Sequence, residues 1–136
     1  MQTYKIHIEG YWRDKNKQGV PGYSGIYFVY TSRYNDTNDT LSLIKLLYVG
    51  ENENVRDGIT QNISFAYWRS FLANGEELCF SVAEMASAGR TAVRAAIVHE
   101  LKPPANTEFK DSPWQTGFEV LLTGRTRLLP DHLMVQ

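Results

Sequence analysis

The sequence holds one cysteine, Cys79, among 136 residues, so no internal disulfide can form and no CxxC pair marks a zinc site. Its place within an apolar run predicts a small buried hydrophobe. No apolar stretch approaches the roughly 20 residues that span a bilayer. The first residues, Met1-Gln2-Thr3-Tyr4-Lys5-Ile6, carry neither a basic nor an apolar leader region, so a cytoplasmic protein with no membrane partner is expected. An excess of either charge is missing too. With 14 Lys and Arg against 15 Asp and Glu, the formal charge is -1 and the pI lies near 6.3. Any binding to nucleic acid must therefore come from a local patch. The Asn-x-Ser/Thr triplets at Asn35, Asn38 and Asn62 read as chance in a chain with no export signal. What remains, 43% hydrophobic and 21% charged residues, is the make-up of an ordinary globular domain, and the length fits one.

Tyr4 to Ile8 alternates like a first strand and leads through Gly10-Tyr11-Trp12 into a basic, turn-rich connector. Gly25 to Thr31 and Leu41 to Val49 are rich in aromatic and β-branched residues. They read as an antiparallel pair around the polar loop Ser32 to Thr40, where Asn35-Asp36 and Asn38-Asp39 form turns. Asn54 to Asn62 predicts a short helix despite Gly58, and Phe65 to Ala73 a second, stopped by Asn74-Gly75. Leu78 to Ala83 predicts another core strand. Val93, Ile97, Val98 and Leu101 put one apolar stripe on a helix over Thr91 to Leu101, ended by Lys102-Pro103-Pro104. Beyond Asn106 the pattern weakens. Phe118 to Leu122 reads as a last strand or a helical turn, and Gly124 to Gln136 as a tail on the surface.

Gly25-Ile26-Tyr27, Tyr48-Val49-Gly50, Asn54-Val55 at a helix start, Arg90 at the start of the last helix and Pro103-x-x-Asn106 after it occur in this order over residues 24–106. In these parts the chain resembles the GIY-YIG nuclease family. The resemblance implies a small α/β (α+β) domain with a central three-stranded, mainly antiparallel sheet flanked by helices. Here it would carry an extra N-terminal strand and a C-terminal extension over 107–136. It also implies hydrolysis of a DNA phosphodiester with Mg or Mn. In that chemistry a tyrosine hydroxyl, from Tyr27 or Tyr48, helps deprotonate water, a glutamate holds the metal, and an arginine with a nearby histidine serves the phosphate. A metal acts there as a Lewis acid and an arginine as a preorganised electrostatic clamp.

Three positions depart from that pattern. The arginine is expected ten residues after Tyr48, at Gly58, and the histidine fourteen after, at Asn62. Glycine supplies no charge, and asparagine can donate to a phosphate but cannot shuttle a proton. The glutamate is expected twelve residues before Asn106, at Arg94. A guanidinium there repels a divalent ion by several kcal/mol at short range, with an effective dielectric of about 20. It can clamp a phosphate instead, as Arg90 and Asn62 could beside it, or pair with nearby carboxylates on a solvated helix face.

A relocated active site would draw on Arg56, which lies about 200° around the helix from Gly58. Glu51 and Glu53 at the cleft mouth would be its metal ligands, with Glu84 weaker still. Acids there also serve the helix dipole. Tyr11, Trp12, Arg13, Lys15 and Lys17, with Tyr67, Trp68 and Arg69, mix bases with aromatics in a way that suits phosphate contact and stacking, or else divide into core and solvated charge. The leading expectation is a degenerate domain that binds DNA or another nucleic acid, or a protein partner, and needs no cofactor. An active metal-dependent endonuclease comes second and a pure protein-interaction domain third.

Overall fold

Residues 25–32 are buried without a break, which is the pattern of a strand covered on both faces rather than of a strand at an edge. The computed structural model describes residues 1–136. It contains strands β1 (Gln2–Arg13), β2 (Gly25–Asn35), β3 (Thr40–Asn52), β4 (Glu77–Glu84), β5 (Phe118–Gly124) and β6 (His132–Val135). They form one mixed sheet in the order β3-β2-β4-β1-β5-β6. The β1 and β5 pair is parallel, and every other neighbouring pair is antiparallel. The helices are α1 (Val55–Thr60), α2 (Phe65–Arg69) and α3 (Arg90–Leu101), with a 3-10 helix at Asp14–Gly19 in the basic connector. None is long and apolar enough to cross a membrane.

This architecture corrects the expected three-stranded sheet with an appended strand. Strands β3, β2 and β4 do lie side by side, but they make up only half of the sheet. The first strand is inserted between β4 and β5, and the residues after Asn106 supply two more strands. The reason lies in the tail's alternation. Phe118, Val120 and Leu122 point one way into the core and are joined there by Leu133 and Val135. Pairing with β1 runs from Gln2 opposite Phe118 to Ile8 opposite Gly124. A parallel pair needs a long crossover, so no hairpin signal in the local sequence announces it.

The sheet carries a core on each face. On one, α3 packs Val93, Ala96 and Ile97 onto Ile6, Ile8, Ile26, Phe28, Val49 and Phe118. On the other, α1 and α2 pack Val55, Ile59 and Trp68 onto Tyr27, Val29, Leu47, Leu78 and Phe80. Asn54 caps α1 by accepting from the Asp57 amide at 3.2 Å. The second helix ends at Arg69, short of Ala73, where the backbone tightens into i to i+3 turns from the Phe71 amide to the Trp68 carbonyl and from Leu72 to Arg69. Lys102 ends α3 in a left-handed conformation (φ 48°) before Pro103.

Because Phe118 fills the core beneath α3, Phe118→Ala is expected to lower unfolding free energy by about 3–5 kcal/mol. Urea denaturation followed by circular dichroism checks it. By the same reasoning a chain cut after Asn106 unfolds rather than yielding a smaller domain, since β1 loses its β5 partner.

Candidate functional site

The two tyrosines arrive from neighbouring strands. Tyr27 lies opposite Gly50, and Tyr48 opposite Val29, so both side chains emerge on the face covered by α1 and α2. Their ring centroids are 6.1 Å apart, and Trp68 of α2 lies 6.3 Å from Tyr27 and 5.2 Å from Tyr48. The Tyr27 ring is only 3% exposed. It rests on two glycines: a Cβ at Gly50 would collide with its ring and hydroxyl, and one at Gly58 would lie 2.8 Å from its Cε1. An arginine at Gly58 is thus opposed by the packing. The space a side chain would take there is filled by Tyr27.

Asn62 completes the enclosure. Its Nδ2 donates to the Tyr27 hydroxyl at 3.1 Å and to the Gly58 carbonyl at 3.0 Å, while its Oδ1 accepts from the Ser64 amide at 2.8 Å. All of its polar capacity facing the cleft is used within the fold, which leaves no hydrogen for a phosphate. Burial, and next the neighbouring Tyr48, push the Tyr27 hydroxyl well above the ordinary tyrosine value, against the opposing pull of Arg94 and Asn62. A phenol that holds its proton this firmly is a poor base at neutral pH. No surface cavity is lined by Tyr27, Tyr48 or Arg94.

Arg94 starts from α3 on the opposite face and reaches the site because β3 is the edge of the sheet. Its Nε donates to the outward-facing Val49 carbonyl at 3.0 Å, and its Nη2 to the Tyr48 hydroxyl at 3.1 Å. The guanidinium carbon lies 5.8 Å from the Tyr48 ring centre and 5.7 Å from that of Phe109. No carboxylate pairs with it, so the expected carboxylate partner on a solvated helix face is absent. Asn106 holds the same point of the edge, accepting from the Val49 amide and donating to its carbonyl, both at 2.9 Å.

The other candidates lie apart. Arg90, one turn before Arg94, donates to Glu51 at 3.0 Å and to the Ser24 hydroxyl at 2.7 Å. Glu51 also accepts from the Thr91 hydroxyl at 3.0 Å. One carboxylate oxygen, Oε1, is thus held by α3, and the Arg90 cation is neutralised by it. Glu53 is exposed, and Arg56 packs beside Gly22 on the connector. Of the basic and aromatic cluster, Arg13 pairs with Glu77 at 2.8 Å and Lys17 with Asp14 at 2.9 Å. The residues present do not fit a divalent cation. Only Oε2 of Glu51 is free of a protein partner, a guanidinium stands at the expected ligand position, and no three His, Cys, Asp or Glu side chains gather to hold an ion.

Three parts of the site lay beyond sequence reasoning: the seating of Tyr27 on Gly50 and Gly58, the contact of Trp68 with both tyrosines, and Phe109 over Arg94. The amphipathic placement of Trp68 in the second helix was a usable signal for that contact, whereas Phe109 falls in a stretch with no periodicity. No family model, curated protein or solved structure matches the chain.

Placing an arginine there by Gly58→Arg is expected to destabilise the protein by about 1–3 kcal/mol, as overpacking does, and to lower its thermal midpoint in calorimetry. The Tyr27 shift has a pH consequence. Above the ordinary value of 10.0 the unfolded chain loses this proton while the folded chain keeps it. The unfolded state then binds fewer protons, so stability falls as pH rises, by up to about 1.4 kcal/mol per pH unit for this group. Urea titrations between pH 9 and pH 11, a window on the order of the tyrosine range, should show a shallower fall in Tyr27→Phe.

Proposed function

We propose that the chain is a GIY-YIG-like domain that binds nucleic acid through backbone phosphates at the Arg94 edge and does not hydrolyse them. The observation that carries this reading is the state of Arg94. It is a half-buried cation whose position is set by two neutral oxygens, with Nη1 and the second Nη2 hydrogen left without partners. A guanidinium has five N–H donors in a rigid fork, and a phosphate is the ligand that takes several of them at once. The Tyr48 hydroxyl beside it supplies a further polar contact.

Hydrolysis would need Tyr27 uncovered and further ligands to join the free Oε2 of Glu51 on a metal. Sequence motifs support the family reading, and the closed tyrosine cleft supports binding without cleavage.

Fluorescence anisotropy with labelled oligonucleotides tests it. Affinity should fall linearly with salt on logarithmic axes, and Arg94→Gln should weaken binding about tenfold or more, as loss of a charge-assisted contact does. In the same samples Mg or Mn should produce no strand cleavage. Cleavage that Tyr27→Phe abolishes would refute the proposal.

A further inference from the structure

The segment from Thr107 to Gly117 has no regular structure, and it runs from the Asn106 clamp past Arg94. Phe109, in a left-handed conformation at φ 66°, has its ring centre 5.7 Å from the Arg94 guanidinium carbon. Phe109, which also packs against the core under α3, lines a cavity of about 370 Å³ together with Lys110, Asp111, Pro113 and Trp114. Cation and cavity are therefore contiguous through one residue. Trp114 is 60% exposed, whereas Trp68 is fully buried. The loop is pinned to the end of α3, where the Lys110 carbonyl accepts from the Lys102 ammonium and lies 3.2 Å from His99 Nδ1. That contact also brings the Lys102 charge beside the cavity, and neither Lys102 nor Lys110 pairs with a carboxylate.

A solvent-facing indole and Phe109 lining one cavity, with a guanidinium and two lysines against the single carboxylate of Asp111, make a surface for a flat ring next to an anion. A nucleobase attached to its phosphate has that chemistry. Resting on the phosphate-binding reading of Arg94, we propose that this loop cavity is a base-stacking subsite, so the nucleic acid the protein takes is single-stranded. In a duplex the base faces are covered by their neighbours and cannot reach Trp114 or Phe109, whereas an unpaired base offers its face to an aromatic ring whatever its identity.

The test compares a labelled oligothymidylate with a duplex of equal length, using the unmodified protein and its Trp114→Ala, Trp114→Phe and Arg94→Gln variants. Trp114 is exposed, so its replacement leaves the core intact. The single strand should bind at least about tenfold more tightly than the duplex, and Trp114→Ala should remove about tenfold of that, a usual loss for one stacked base. Trp114→Phe should recover most of it. Tryptophan fluorescence should be quenched by the oligothymidylate in the unmodified protein and much less in Trp114→Ala. Equal or tighter duplex binding, indifferent to Trp114 but weakened by Arg94→Gln, would overturn the stacking subsite and leave the phosphate site standing. No binding of either nucleic acid would overturn both.

Discussion

The Arg94 side chain crosses from one face of the sheet to the other, and the rest of the site is arranged around that crossing. It can do so only because β3 is an edge strand whose Val49 carbonyl points away from the sheet. An unpaired edge group of this kind must be satisfied by something. Here Asn106 takes both the amide and the carbonyl of Val49, and the Arg94 Nε shares the carbonyl. The strand that carries Tyr48 thus meets the last helix and the turn after it at one residue, Val49. A half-buried cation without a carboxylate is costly to hold. Two oxygens and the Tyr48 and Phe109 rings offset part of that cost, and an arriving phosphate would offset more.

Tyr27 shows the opposite outcome for a residue of the same expected chemistry. Its ring occupies the space above Gly50 and Gly58, its hydroxyl is held by Asn62, and Trp68 packs against it. Water activation requires a group that can reach the substrate and give up or accept a proton near neutral pH. Burial denies Tyr27 both. The Arg90 and Glu51 pair, tied to Ser24 and Thr91, likewise spends a cation and a carboxylate on joining α3 to the sheet. Of the donors gathered near the paired tyrosines, Arg94 and the Tyr48 hydroxyl are left with capacity for an anion.

Much of the molecule before Asn106 was legible in the sequence. The aromatic and β-branched runs around Tyr27 and Tyr48 pair as strands, Asn54 caps a helix, and the stripe at Val93 and Ile97 lies against the sheet. Readability ended where partners are remote. The pairing of Gln2 with Phe118 joins the two ends of the chain, and no local pattern reports such a contact. Phe118, Val120 and Leu122 do alternate, but four-residue β6 is too short to announce itself, so the tail read as surface. The site was legible by residue and not by geometry. Gly58, Asn62 and Arg94 stood out as departures, yet that Gly58 is a seat for Tyr27, and that Asn62 faces inward, follows only from side-chain packing.

If the Arg94 edge is the binding surface, its guanidinium must sense a bound phosphate directly. Side-chain NMR of the arginine Nε–H resonances during titration with a short oligothymidylate at low salt reads this without reference to catalysis. A saturable shift of the Arg94 signal, reversed by added salt, while Arg90 stays unmoved in its pair with Glu51, is the expected result. An Arg94 signal that stays fixed while the oligonucleotide binds elsewhere would contradict it.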